Sequence, residues 1–202
     1  MEFPRPHGQI VMENLSLISE LQVGSGQASH YLFHRRVWDH VGCVVDLGCG
    51  TWDWSRCFLG EKRVIGCDPA EKEIPDGAEL FRGFIGNFCG QINYLDGNQN
   101  RVSGLRKGES VAEIITLKEL IRQFDLPPIS LLKMNIEGME YDLLIHLQEP
   151  IADQIVVSFH DYPISGISNR RATKAVLDYL SEWYDWVATS KQWGWYVLLR
   201  KI

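Results

Sequence analysis

The sequence predicts an α/β protein with a mostly parallel sheet covered on both faces. Three observations carry this. Short apolar runs recur, and polar or turn-forming residues end them: CVVDLG, RVIGCDP, ISLLKMNI and QIVVSFHDYP. Segments of helical pattern alternate with them, clearest in ITLKELIRQFDLPP and SNRRATKAVLDYLSEWY. Apolar residues make up 45% of the chain and charged residues 23%, the balance of a globular domain with a sizeable core. Strands buried on both faces read as continuous apolar runs, and parallel pairing between them needs a crossover, usually a helix.

The elements follow in order. ENLSLISELQ reads as a short helix, broken by VGSGQ. ASHYLFHRRVWDHVG sets Tyr31, Leu32, Phe33, Val37 and Trp38 near helical spacing and reads as a second helix. Residues 1–40 are thus expected to form a helical cap or lid on a core over 41–202, with the whole chain, 1–202, as one domain. His30 and His34 stand four apart, but with no third ligand nearby they read as surface histidines. CVVDLG is the first core strand. WDWSRCFLG is a short helix closed by Gly60. RVIGCDP is the next strand, stopped by Pro69, and ELFRGFIG the third. Turn signals flank an alternating strand, QINYL. In ITLKELIRQFDLPP, Thr116 caps a helix, Glu119 is its capping-box partner, and Pro127 and Pro128 end it. ISLLKMNI is a buried strand, followed by a helix from Gly138 to Leu147. QIVVSFHDYP is a strand, SNRRATKAVLDYLSEWY an amphipathic helix, and WVATSKQWGWYVLLRKI a closing pair of strands.

Composition narrows the function. The net charge of −6 argues against nucleic acid, and Arg170, Arg171 and Lys174 make too small a basic patch to reverse that. No apolar run is long enough to span a bilayer, so no membrane partner is expected. MEFPRPHGQIVMENLSL lacks the charged start and apolar core of a signal peptide. The five cysteines have no CxxC spacing, which fits reduced thiols, a cytoplasmic location and no zinc site.

The stretch VVDLGCGTWDWS carries the first functional signal. In open α/β sheets, ligands sit beyond the carboxyl ends of strands. Asp46, Leu47, Gly48, Cys49 and Gly50 lie there, with glycines that allow a tight turn and close backbone approach. Asp68, followed by Pro69, ends the next strand, where a carboxylate can take the hydroxyls of a ribose. Two cofactor classes use this layout. An NAD fingerprint needs a third glycine where this chain has Asp53. Asp46 suits a cofactor with a cationic amino-acid end better than a pyrophosphate, which it would repel. The loop therefore favours S-adenosylmethionine over NAD.

A second signature is LLKMNIEGMEYDLL. It sets Lys133, Asn135 and Glu137 at alternate positions at the end of a buried strand, where polar groups are costly unless paired or used. With these residues the sequence resembles the FkbM-type methyltransferases, a family of class I S-adenosylmethionine-dependent O-methyltransferases. The resemblance runs from about Val44 to the C-terminus, through VVDLGCG, GCDP, GNFCGQINYLDG, ITLKELI, LLKMNIEGMEYDLL and IVVSFHD. Lys133, Glu137, Gly138 and Glu140 match the family's long motif. The resemblance implies a seven-stranded, Rossmann-like sheet with an antiparallel last strand. It also implies methyl transfer to a hydroxyl, often on a sugar or natural product. Two positions depart from it: Asn135 stands for the family aspartate, a poorer base and metal ligand, and Trp52 for a third glycine.

Methyl transfer needs a group that removes the acceptor's proton near neutral pH, which makes histidine the default. His160, after the strand IVVSF, is the candidate base; Glu137 is the runner-up, and Asn135 and Asp161 complete the catalytic candidates. A divalent metal on the oxygen ligands of Asn135, Glu137 and Asp161 is the less favoured alternative. Trp52, Trp54 and Tyr162 either wall the acceptor site or, for the tryptophans, fill core space. The partner is a small-molecule acceptor. The competing readings are a non-catalytic S-adenosylmethionine-binding module and an NAD-dependent oxidoreductase.

Overall fold

The computed structural model describes residues 18–22, 30–34, 37, 40–69, 73–95, 101–102, 110–160, 169–190 and 195–201. The N-terminal segment departs from the helical expectation over residues 18–22 and 30–34, while Val37 is helical as expected. Ile18–Gln22 (β1) pairs antiparallel with His30–His34 (β2). Both are five residues long, too short to nucleate a helix alone, and HYLFH is rich in the aromatics that favour strands. β-Pairing therefore wins over a weak helical spacing.

The core begins at Cys43–Leu47 (β3), buried along its whole length. The following helical segment shrinks to a 3-10 turn, Ser55–Phe58, and Gly60 closes it at φ +85°. Arg63–Cys67 (β4) and Ala78–Phe81 (β5) continue the sheet. ELFRGFIG, expected as one strand, divides at Arg82: Gly83–Gly86 (β6) joins a different sheet. Gly90–Leu95 (β7) and Arg101–Val102 (β8) lie in that second sheet with Ser110–Thr116 (β9), which the sequence pattern had not marked.

Leu117–Gln123 (α1) follows, and Thr116 Oγ1 accepts the Glu119 N–H at 3.1 Å as an N-cap does. The box is not completed, because the Glu119 carboxylate accepts from Arg122 at 2.6 and 2.8 Å instead. That bond, with a lesser one from Gln123, lowers the Glu119 carboxyl to about 2. Ile129–Met134 (β10), Glu140–Ile145 (α2) and Ala152–Ser158 (β11) come next. Asn169–Leu180 (α3), Tyr184–Ser190 (β12) and Trp195–Arg200 (β13) complete the described chain.

The main sheet has seven strands in the order β12-β13-β11-β10-β3-β4-β5. The pairs β11–β10, β10–β3, β3–β4 and β4–β5 are parallel, while β13 runs antiparallel to both neighbours. This is the mostly parallel Rossmann-like α/β sheet expected, with its last strand reversed. A four-stranded sheet, β6-β9-β7-β8, is inserted after β5. Alternation within the strands separates two cores. Cys43, Val45, Leu47, Ile65, Leu132 and Ile155 face α1, α2 and α3, whose Leu120, Leu144 and Leu180 have no exposed surface. Val44, Val64, Leu131, Val156 and Val197 face the other way, onto Trp52, Trp54 and Phe58 around the 3-10 turn. Among the described residues, helical segments thus cover both faces, but the α-helices share one of them.

Candidate active site

Chain direction reverses at the centre of the sheet. From β3 the chain moves outward to β4 and β5, then returns to β10 and β11 on the other side. Ligand crevices form at such switch points, beyond the carboxyl ends of the strands. Here the loop after β3 meets the segment after β10. Asn135 N–H donates to the Leu47 carbonyl at 3.0 Å, and Gly48 N–H to the Cys67 carbonyl at 2.8 Å. Gly48 has φ +72°, and a Cβ there would fall 2.1 Å from the Asn135 carbonyl oxygen, so only glycine fits. Two residues on, Gly50 N–H donates to Asp68 Oδ2 at 3.1 Å. A Cβ on Gly50 would meet nothing within 4 Å, so this side of the loop is open.

Trp52 answers the oddity of the loop. It takes a left-handed φ of +64°, and its ring turns down onto β4. A Cβ at Gly66 would lie 2.3 Å from Trp52 Cη2; the bare glycine backbone makes room for the indole. Trp52 is 1% exposed and Trp54 4%, with Trp54 and Phe58 ring centroids 5.0 Å apart. Both tryptophans are core filling, not walls of an acceptor site. Trp52 Nε1 is buried with no hydrogen-bond partner among the described residues.

Asp46 and Lys133 occupy paired register positions on β3 and β10, on the tryptophan-covered face. Lys133 Nζ donates to Asp46 Oδ1 and to the Gly48 carbonyl, each at 2.7 Å, and Ser55 Oγ donates to Asp46 Oδ2 at 2.7 Å. Asp46 has no exposed surface. It therefore offers no carboxylate face to the ammonium of a cofactor. What it does is tie the glycine loop, the 3-10 turn and β10 together, with Lys133 as the link.

The polar end of β10 builds the second half of the site. Glu137 has φ +58° and Gly138 φ +108°, a tight exit that lets the chain enter α2. Glu140, at the start of α2, accepts the Ile136 N–H at 2.9 Å and the Gly138 N–H at 2.7 Å. His160, two residues past β11, lies between two carboxylates. Its Nδ1 is 2.8 Å from Glu140 Oε1 and its Nε2 3.7 Å from Glu137 Oε1. The histidine side chain is 24% exposed, Glu137 17% and Glu140 0%, so the ring is reachable while its inner partner is sealed.

Across the carboxyl edge, then, stand His160, Asn135 with Glu137, the Gly48–Gly50 loop, and Asp68, one per adjacent strand. At about 4.8 Å per strand the row spans roughly 14 Å. His160, Glu137 and Asn135 share one end. Gly48, Gly50, Asp68 and the half-buried Pro69 share the other. Leu47 and Cys49 contribute backbone only: the Leu47 side chain lies in the helix-side core, and Cys49 packs toward Gly66. Asp161 and Tyr162 lie outside the described residues, as do the side chains of His30 and His34. Glu140 was not among the residues singled out for chemistry; its signal was a carboxylate three residues after another at a strand exit. Among the described residues no cluster of three His, Cys, Asp or Glu side chains is arranged to hold a metal, and no helix is long and apolar enough to cross a membrane.

The fold is that of a Rossmann-like α/β protein, compatible with an enzyme that binds a nucleotide or related cofactor. Comparison with known protein families, curated proteins and solved structures gives no match to this chain. The resemblance to the FkbM-type methyltransferases therefore rests on the quoted motifs.

Proposed function

We propose that the chain is an S-adenosylmethionine-dependent O-methyltransferase of FkbM type, acting on a hydroxyl of a small molecule such as a sugar or natural product. The observation that carries this reading is the row of groups at the switch point. A histidine held by a carboxylate stands at one end, and an open glycine loop with an acid at the other. That length suits a nucleoside extended by an amino-acid chain, with its reactive centre near His160. The reversed last strand is also what the motif resemblance implies.

The Gly50 and Asp68 end supports such a cofactor: the loop there is open, and Asp68, nearly buried and accepting the Gly50 N–H, ends the strand at which an acid takes ribose hydroxyls. When bound, S-adenosylmethionine supplies a methyl group on a cationic sulfur. The chain's own part is positioning and proton removal. Gly48 and Gly50 hold the loop in the left-handed turns that keep its outer face clear. His160 takes the acceptor's hydroxyl proton, and the carboxylates on either side stabilise the imidazolium so formed. An NAD-dependent oxidoreductase is disfavoured. A dinucleotide's pyrophosphate rests on the N-terminus of an α-helix after the glycine loop, and here only a four-residue 3-10 turn follows. A non-catalytic binding module remains the second reading, favoured by Asn135 in place of an aspartate.

Calorimetric titration of the purified protein with S-adenosylmethionine and S-adenosylhomocysteine, with NAD as control, tests the proposal. Micromolar binding, weakened at least about tenfold in Asp68→Ala by loss of a charge-assisted hydrogen bond, is the expected result. No binding to either ligand, or preference for NAD, refutes it. His160→Gln separates enzyme from binding module. An enzyme loses turnover on its acceptor and keeps cofactor affinity.

A further inference from the structure

Glu140 has no exposed surface, and the proton transfer just described needs only its charge. Its geometry asks for more. Both carboxylate oxygens already accept backbone N–H groups, Oε1 from Ile136 and Oε2 from Gly138. Those two bonds fix the carboxyl plane against the exit of β10. Oε1 then meets His160 Nδ1 at 2.8 Å. An ionised carboxylate only accepts hydrogen bonds, so this contact places the ring proton on Nδ1. The lone pair of the neutral ring is left on Nε2. That nitrogen faces Glu137, whose own backbone sits in a left-handed conformation disfavoured for a residue with a side chain.

We propose that Glu140 is a positioning residue that fixes His160 as the Nδ1–H tautomer, turning the Nε2 lone pair to the spot beside Glu137 where the acceptor hydroxyl is deprotonated. This rests on His160 being the base. The balance is simple: the hydroxyl O–H bond breaks, its proton goes to Nε2, and the oxygen's electron pair forms the new bond to carbon as the C–S pair leaves with sulfur. Glu140 touches none of the reacting atoms. It acts through the ring, as a second partner on a histidine sets which nitrogen is basic. Nε2 and Glu137 Oε1 stand 3.7 Å apart, beyond direct hydrogen-bond reach of each other.

Long-range proton–nitrogen correlation spectra of protein labelled with 15N-histidine read the tautomer directly. The His160→Gln spectrum identifies the ring's signals. In the wild type, with the ring neutral, the expected pattern is a pyrrole-type Nδ1 and a pyridine-type Nε2. Glu140→Gln and Glu140→Asp are expected to shift the ring toward the Nε2–H form, while Glu137→Gln leaves Nδ1–H in place. An Nε2–H ring in the wild type overturns the proposal, and so does an unchanged tautomer in a folded Glu140 variant. The wild-type spectrum decides even where a Glu140 variant fails to fold. The measurement needs no cofactor, so an Nδ1–H ring in a protein that binds no S-adenosylmethionine sustains the pair while removing the methyltransferase reading.

Discussion

Replacing Asp46 by alanine leaves the Lys133 ammonium in the interior without its counter-charge. The Lys133 side chain is 5% exposed and that of Asp46 0%, so water cannot take over the role of the lost carboxylate. Removing one member of such a buried pair costs about 3–5 kcal/mol. In a chain of this size that lowers the melting temperature by roughly 10 °C. Lys133→Met is expected to cost a similar amount, since it strands the carboxylate with Ser55. The two single losses would sum to about 6–10 kcal/mol. The double variant Asp46→Ala/Lys133→Met carries no buried charge. Its remaining cost is the Ser55 hydroxyl and the Gly48 carbonyl, each having lost a partner, about 2–6 kcal/mol together. The centres of the two ranges differ by about 4 kcal/mol, a coupling measurable by urea denaturation of the four proteins. If the single effects add to within about 0.5 kcal/mol, or Asp46→Ala alone costs less than about 1 kcal/mol, the pair does not hold the loop as described. A consequence for binding work is that weakened cofactor affinity in Asp46→Ala reports a loosened loop, not a lost contact.

Other consequences can be measured on the same protein. Gly50→Ala meets only the left-handed backbone penalty, about 1–2 kcal/mol, whereas Gly48→Ala also drives a methyl into the Asn135 carbonyl; denaturation midpoints falling in the reverse order would contradict the geometry. Cys57 is exposed as a residue, but desolvation around its thiol, whose Sγ donates to the Trp54 carbonyl, pushes it up to about 12, so little thiolate is present at pH 8. Cys57 and Cys89 are both exposed, so maleimide labelling followed by mass spectrometry isolates the effect of the thiol's surroundings: Cys89 should be marked before Cys57, and equal rates would refute the assignment. Burial likewise raises Cys43 from 9.0 to about 11, and it lifts Tyr184. Between those values the folded state binds more protons than the unfolded one. Stability is therefore fully present below about pH 9 and falls as the pH rises toward 11. A urea midpoint that stays flat from pH 9 to 11 would show these groups to be reachable by water.

Local chemistry wrote much of this protein into its sequence. Continuous apolar runs had to be strands buried on both faces, and β3, β4, β10 and β11 are. Thr116 had to cap what followed it, and it does. Polar residues stacked after strand ends had to lie at one edge of a parallel sheet, which brought Gly48, Gly50, Asp68, Asn135, Glu137 and His160 into one row. What the sequence could not disclose were partnerships made across distance. Asp46 finds Lys133 87 positions away, and Glu140 finds His160 20 positions away. Trp52 goes into the core because Gly66, on the next strand, leaves space for a ring. Arg82 divides one apolar run between two sheets, and short segments near the N-terminus pair as strands where spacing suggested helices. In each case the deciding energy, a buried charge neutralised, an indole packed or a ladder of hydrogen bonds closed, exists only once distant segments have met. Sequence periodicity reports the local preference, and tertiary contact decides between the alternatives it leaves.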